Sequence, residues 1–341
     1  MARNKSTYAA IAIVAIGTSS LLAACGGSGN GTTSDLEGSV VVSGSSTVEP
    51  ITALVAELFY EDNPGVDVRV DGPGTGDGFQ LFCSGETDIS DASRPIKDEE
   101  AALCAGAGIE YVELEVGFDG LAVITAADSE LVDCLNFGDL YALVGPESEG
   151  FASWDSANDL GVEVGGSGSY PDASLDVTAP GPESGTYDSF IELALKGIAE
   201  ARVEAGKITE DQAGTVRSDY SSQANDNQII SAVAGSPASL GWVGFAFAEE
   251  SADEVKTIEI DGGDGCVAAT AETVTNGTYP LSRSLYIYVN KASITKNPAL
   301  NAFVDFYMSA DGFYSVADSG YVQLPEDQWE ATTSAWQAAK G

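Results

Sequence analysis

The chain has no histidine in its 341 residues. That absence removes histidine general bases, Ser-His-Asp and Cys-His nucleophile systems, and imidazole-ligated metals. Hydrolytic chemistry would have to rest on carboxylates, lysine or an oxygen-held metal. Basic residues are scarce too: 14 Lys and Arg stand against 53 Asp and Glu, a formal net charge of −39. Nucleic-acid binders carry basic stripes and anionic-lipid binders basic patches, and this chain can supply neither. No Gly-x-x-x-x-Gly-Lys-Ser/Thr run occurs, which excludes a P-loop. Gly74-Thr75-Gly76-Asp77-Gly78 misses the dinucleotide fingerprint because Phe79 stands where the third glycine belongs. The cysteines contain no Cys-x-x-Cys pair for zinc, and Asp261-Gly262-Gly263-Asp264-Gly265 lacks the ligand ladder of a calcium loop. No cofactor and no metal is therefore expected.

The acids are scattered rather than blocked, so they read as a solvated surface of the kind that suits a saline habitat. Arg3 and Lys5 precede an apolar run from Ala9 to Ile16 that extends through Leu21 and Leu22. Gly17, Thr18, Ser19 and Ser20 interrupt it, whereas a membrane span wants about 20 apolar residues. Residues 1–24 thus read as a signal peptide. Leu22-Ala23-Ala24-Cys25 resembles a bacterial lipobox, which implies lipidation of Cys25 and a flexible tether over residues 25–35. The expected location is the outer face of the cell membrane, with the lipid anchor as the only membrane contact. Export permits disulfides. Cys83, Cys104, Cys134 and Cys266 allow three pairings, of which Cys83–Cys104 with Cys134–Cys266 keeps each bridge inside one lobe as drawn below.

The length favours two lobes. Val40-Val41-Val42 reads as a buried strand, and Val48, Ile51, Leu54, Val55, Leu58 and Phe59 recur at helical spacing until Asn63-Pro64-Gly65. Val66, Val68 and Val70 then alternate as a strand. This βαβ unit implies a parallel sheet and an α/β fold. Phe79 to Phe82 continues as a helix, and Asp88-Ile89-Ser90 as a strand end. Past Gly117 the pattern restarts: a strand over Leu121–Ile124, a short helix or turn over Phe137–Leu143, and a strand end at Leu175-Asp176-Val177. Helices follow through Phe190–Ile198 and Ile229–Val233, with a Gly/aromatic strand or turn over Leu240–Phe247. Residues 252–277 read as a β excursion, Tyr286–Val289 as a strand, and the last stretch as helices. One lobe (residues 36–117 and 285–341) interrupted by another (118–284) would be joined by crossings near 117–120 and 281–285, giving a hinge and an interlobe cleft.

Three turns carry the chemistry. Gly44-Ser45-Ser46-Thr47 and Glu183-Ser184-Gly185-Thr186 each set hydroxyls and unpaired N–H groups at the start of a helix, where an oxyanion is held by hydrogen bonds and dipole. Ser and Thr also cap helices routinely, so each alone is ambiguous. Asp91-Ala92-Ser93-Arg94 adds a guanidinium fork, which matches a tetrahedral anion. The ordinary alternative for Arg94 is a surface salt bridge.

Taken with Gly74–Gly78, Asp88–Ile96, Asp119-Gly120, Ser184–Phe190, Leu240–Phe245 and Tyr279-Pro280-Leu281-Ser282-Arg283, these turns make the chain resemble the phosphate-binding lipoproteins of ABC importers. The match runs in family order across nearly the whole mature chain. The resemblance implies a two-lobe periplasmic-binding-protein fold of the second type. It implies phosphate ligation by Ser45, Ser46, Thr47, Gly76, Asp77, Gly78, Ser93, Ser184, Gly185 and Thr186. One branch of that family has a carboxylate at position 94 and an arginine at position 180; here those residues are Arg94 and Pro180. The cation is accordingly expected at Arg94, and Asp119, with Asp226 second, is expected to accept the phosphate proton. The expected function is a monomeric, non-enzymatic receptor that captures inorganic phosphate and delivers it to an ABC permease. Sulfate, a tungstate-like ion or phosphate-ester hydrolysis are the alternatives. No nucleic-acid partner is expected.

Overall fold

The computed structural model describes residues 36–340; the expected signal peptide, the lipidation call at Cys25 and the expected tether fall outside the described residues. The strands are β1 Gly38–Gly44, β2 Val66–Asp71, β3 Ile89–Ala92, β4 Tyr111–Ala126, β5 Cys134–Asn136, β6 Asp176–Ala179, β7 Ser221–Ser222, β8 Ser239–Gly244, β9 Val255–Thr257, β10 Glu259–Asp261, β11 Cys266–Val267 and β12 Ser282–Asn290. Four early helices are α1 Glu49–Asp62, α2 Thr75–Ser84, α3 Asp98–Ala107 and α4 Phe137–Val144.

The first βαβ unit forms as its apolar spacing predicts. Val40 and Val42 point into the core from β1, Pro50 sits in the first turn of α1, and the chain leaves the helix at Asn63 to pair β2 parallel to β1. Strands run in the order β2-β1-β3-β12-β4-β8-β6-β7, with β9 also on β4, and a small separate sheet has the order β11-β10-β5. β4 is 16 residues long and serves both halves: its start pairs β12, and its Leu121–Ile124 segment pairs β8.

Each half has its own core. Val40, Ile51, Val55 and Phe59 pack with Leu285, Ile287, Phe303, Val304 and Trp336, so the C-terminal helices cover the first half. In the second half, alternate residues of β4 face opposite layers, as a pleated strand requires. Leu121 and Val123 join a core with Trp154, Phe190 and Trp242, while Ala122 and Ile124 join Ile229, Ile230 and Val233. The rings of Phe190 and Trp242 stack with centroids 4.1 Å apart. Leu324, from the C-terminal stretch, packs in this second core.

The disulfides are Cys83–Cys104, joining α2 to α3, and Cys134–Cys266, joining the two strands that flank β10. Two elements differ from the sequence expectation. The Gly/aromatic stretch splits into β8 and a helix over Phe245–Glu250, and the 252–277 excursion ends in a short helix over Ala271–Thr275. Reciprocal capping between Thr270 and Thr273 starts that last helix, a signal that strand patterning obscures. Among the described residues no helix is long and apolar enough to cross a membrane.

Candidate functional site

The first turn is built by close backbone approach. Gly44 has φ +154°, and a Cβ there would lie 2.1 Å from the Asp91 carbonyl oxygen, so only glycine fits. The Gly44 carbonyl accepts from Gly74 N–H at 2.8 Å, and the Ser45 N–H donates to the Asp91 carbonyl at 2.9 Å. Gly78 presses on Gly44 so tightly that a Cβ would fall 2.4 Å from the Gly44 Cα. These contacts bring Gly76, Asp77 and Gly78, in the first turns of α2, beside the Ser45–Thr47 turn. Ser45 Oγ is spent locally, accepting from Thr47 N–H at 3.2 Å and Val48 N–H at 3.4 Å. Ser93 is buried against the same loop, with its Oγ 3.0 Å from Thr75 Oγ1.

The third turn comes from the other half and meets the first. Ser184 caps the helix over Gly185–Phe190 by accepting from Thr186 N–H at 3.2 Å. A Cβ on Gly185 would lie 3.4 Å from the Ser46 carbonyl oxygen and 3.3 Å from the Tyr321 hydroxyl. Ser46 Oγ donates to Asp188 at 3.1 Å, and Thr47 Oγ1 lies 3.2 Å from Ser189 Oγ. A cavity of about 240 Å³ adjoins this junction, lined among others by Asp119, Ser184, Gly185, Thr186, Asp226 and Tyr321.

The cation at the junction is Arg283. Its Nη2 donates to Thr47 Oγ1 at 3.0 Å and to Ser189 Oγ at 2.8 Å, its Nε to Asp119 at 3.2 Å, and its Nη1 to Glu192. The register of β12 on β4 sets Arg283 opposite Asp119. The Arg283 side chain is only 11 % exposed. Burial alone would weaken its charge, but Asp119 and Glu192 outweigh that and raise its pKa. The Asp188 carboxyl is raised, chiefly by burial and against the pull of its Ser46 hydrogen bond. Asp226 is raised by burial as well, and among the described residues its Oδ1 has no hydrogen-bond partner.

Arg94 acts on Glu192 at this junction through charge, but its own hydrogen bonds go elsewhere. Its Nη1 and Nη2 donate to Glu100 at 2.8 and 2.7 Å, Nη1 also reaches the Pro95 carbonyl, and the guanidinium lies over the Phe79 ring. The structure thus gathers Ser46, Thr47, Asp119, Ser184, Gly185 and Thr186 in one place, sets Gly76–Gly78 and Ser93 behind the first turn, and ties Arg94 to a carboxylate. Arg283, Asp188, Ser189 and Glu192 join them without having been picked out as site residues. Arg283 had a signal: it stands in a crossing segment, in a chain with few bases.

A family model described as a PBP superfamily domain matches residues 29–311. The chain is 36% identical over 300 residues to "Protein SphX" of Synechocystis, covering 87% of this chain and 82% of that one. It is 33% identical over 319 residues to the "Phosphate-binding protein PstS" of Staphylococcus epidermidis, covering 93% and 89%. Among solved structures, a possible phosphate binding protein from Planctomyces limnophilus superposes with a TM-score of 0.78 at 33% identity, covering 89% of this chain and 99% of that one.

Proposed function

The chain belongs to the PBP superfamily and within it to the PstS-like phosphate-binding proteins, and from that footing we propose that it captures inorganic phosphate in the interlobe cleft and hands it to an ABC permease. The observation that carries this reading is the junction at Arg283. One guanidinium there engages hydroxyls from both halves, Thr47 and Ser189, beside a cavity lined by Ser184, Gly185 and Thr186. Fixed N–H and O–H donors around a buried cation suit a tetrahedral oxyanion, and each charge-assisted bond contributes about 1.5–3 kcal/mol.

We assign ligation to Ser46, Thr47, Ser184, Gly185 and Thr186, with Gly76–Gly78 and Ser93 shaping the first wall. Arg283 takes the role of cation in place of Arg94. Asp119 is our acceptor for the phosphate O–H: Arg283 holds one of its oxygens, and the carboxylate lines the cavity. Sulfate has no proton to offer and would set acceptor against acceptor, at a cost of roughly 1–3 kcal/mol. The lobes are assigned as 36–117 with 285–341, and 118–284, closing about the crossings. Lipidation at Cys25 after removal of residues 1–24 would tether a monomer to the outer face of the membrane, with no covalent chemistry in its task. The acidic surface leaves capture to local donors, because charge beyond about 8 Å is screened at physiological salt.

Calorimetric titration with phosphate and with sulfate across pH tests the reading. Phosphate binding with sulfate weaker by about tenfold or more is expected. Equal affinity for the two ions would remove Asp119 as proton reader, and turnover of a phosphomonoester by clean protein would overturn the receptor assignment.

A further inference from the structure

The helix that begins at Gly185 does not run regularly. Its Ile191–Leu195 turn is π-helical before α-helix resumes at Lys196, and such a turn re-aims the residues on it. Glu192 stands on this turn. Its carboxylate takes the Nη1 donor of Arg283, the guanidinium whose Nη2 reaches Thr47 and Ser189. The Glu192 side chain is 41 % exposed, so it reaches the buried cation from the solvent side. Arg94 and Lys196 also act on Glu192 electrostatically, while Asp188 lies close enough to be raised by it. Burial pushes the Glu192 carboxyl up, but Arg283 with Lys196 and Arg94 reverses this and leaves it below the usual range, so it is charged near neutral pH.

Those observations have a consequence for any anion that uses Arg283. Nε is committed to Asp119 and Nη2 to two hydroxyls; only Nη1 faces a partner that is both negative and partly in water. An incoming oxyanion that uses Nη1 binds the nitrogen that Glu192 already engages, through its second N–H or by displacing the carboxylate, and it meets the Glu192 charge as it does so. We propose that Glu192 is an affinity-setting residue, a built-in carboxylate competitor for Arg283 that weakens oxyanion binding and hastens release. The displaced carboxylate swings toward Lys196 and Arg94, whose charges already act on it. The proposal rests on the phosphate reading above only for the identity of the oxyanion.

The test titrates phosphate into wild type, Glu192→Gln and Glu192→Ala at fixed ionic strength, with and without added acetate. Removing one partly screened like charge at this range raises phosphate affinity about tenfold, chiefly through a slower off-rate. Acetate restores the missing carboxylate in Glu192→Ala, returning its apparent affinity toward the wild-type value while leaving wild type unmoved. A merely structural role would not produce that rescue. Both variants change a partly exposed side chain, and unaltered thermal melts confirm the fold. Wild-type phosphate binding with equal or weaker binding in both variants would overturn the proposal and leave the phosphate reading intact. If wild type binds no phosphate, that reading fails, and the same titration with sulfate decides this one: tighter binding in Glu192→Gln supports it, and absence of oxyanion binding in every variant overturns it.

Discussion

Asp91 is a carboxyl group buried where no charge is accommodated. It lies in β3, between β1 and β12, with every residue of that strand buried. Among the described residues neither of its carboxyl oxygens has a full hydrogen-bond partner. The groups around it cannot neutralise it. The Thr52 hydroxyl, itself 3.1 Å from the Tyr307 hydroxyl, pulls the pKa down, while Glu49 and Asp71 add negative charge. Burial is the largest cause and, with Glu49 and Asp71, outweighs Thr52 and pushes the Asp91 pKa from 3.8 up to about 8. The folded protein therefore keeps this proton through a range in which the unfolded chain has lost it.

The sign follows from proton counting. Between about pH 4 and pH 8 the unfolded state binds fewer protons at this site than the folded state, so stability falls as pH rises, by up to about 1.4 kcal/mol per pH unit. The stabilisation is complete below the unfolded pKa and is lost by the time pH passes the folded one. A shift of this size sets a ceiling of roughly 6 kcal/mol across the window, and local relaxation will lower it. Asp91→Asn keeps the shape and removes the titration. It should melt close to wild type near pH 4 and a few degrees higher near pH 8, since about 2 kcal/mol moves the melting temperature of a protein this size by roughly 3 °C. Scanning calorimetry of both proteins from pH 4.5 to 8.5 measures the difference, and the remaining carboxylates cancel in it. Parallel curves, or a variant that is less stable by the same amount at every pH, would refute the reasoning.

Three further outcomes follow from the same contacts. Arg283→Ala should lose about a hundredfold or more in phosphate affinity by calorimetry, while Arg94→Ala, whose guanidinium is already held by Glu100, should lose only a few-fold. Gly185→Ala places a methyl group 3.3 Å from the Tyr321 hydroxyl and 3.4 Å from the Ser46 carbonyl oxygen, so the two turns must part by a few tenths of an ångström. Affinity should fall roughly three- to tenfold, with stability within about 1 kcal/mol of wild type in urea unfolding. Replacing Cys134 and Cys266 with Ser opens a bridge spanning 132 residues and should cost roughly 5 kcal/mol, against roughly 3 kcal/mol for the Cys83–Cys104 bridge spanning 21, in the chain-entropy account. Denaturant midpoints in the opposite order would contradict that account.

What the sequence made legible was chemistry confined to a few adjacent residues. Ser45 to Thr47 and Ser184 to Thr186 could be read because hydroxyls beside glycine, followed by helical spacing, announce themselves within one turn. The placement of Arg283 could not, because it depends on partners far away in the chain. Arg283 meets Asp119 through the antiparallel register of β12 on β4, a separation of 164 residues, and meets Thr47 at a separation of 236. No local pattern encodes a register; it emerges from which apolar faces the two strands bury. Arg94 is the opposite case. Its immediate surroundings looked like a cleft, yet its partner was only six residues on, in Glu100, which also accepts from Lys97 N–H at the start of α3. An acid in the first turn of a following helix was as readable as the arginine itself, and it competes for the guanidinium with no interlobe closure to wait for. Asp91 was hidden for a third reason. Position within a sheet, not composition, decides whether a strand is central, and only a central strand buries a carboxylate on either face. The residues proposed to set binding and pH response are thus those whose neighbours come from another strand or the other half of the molecule.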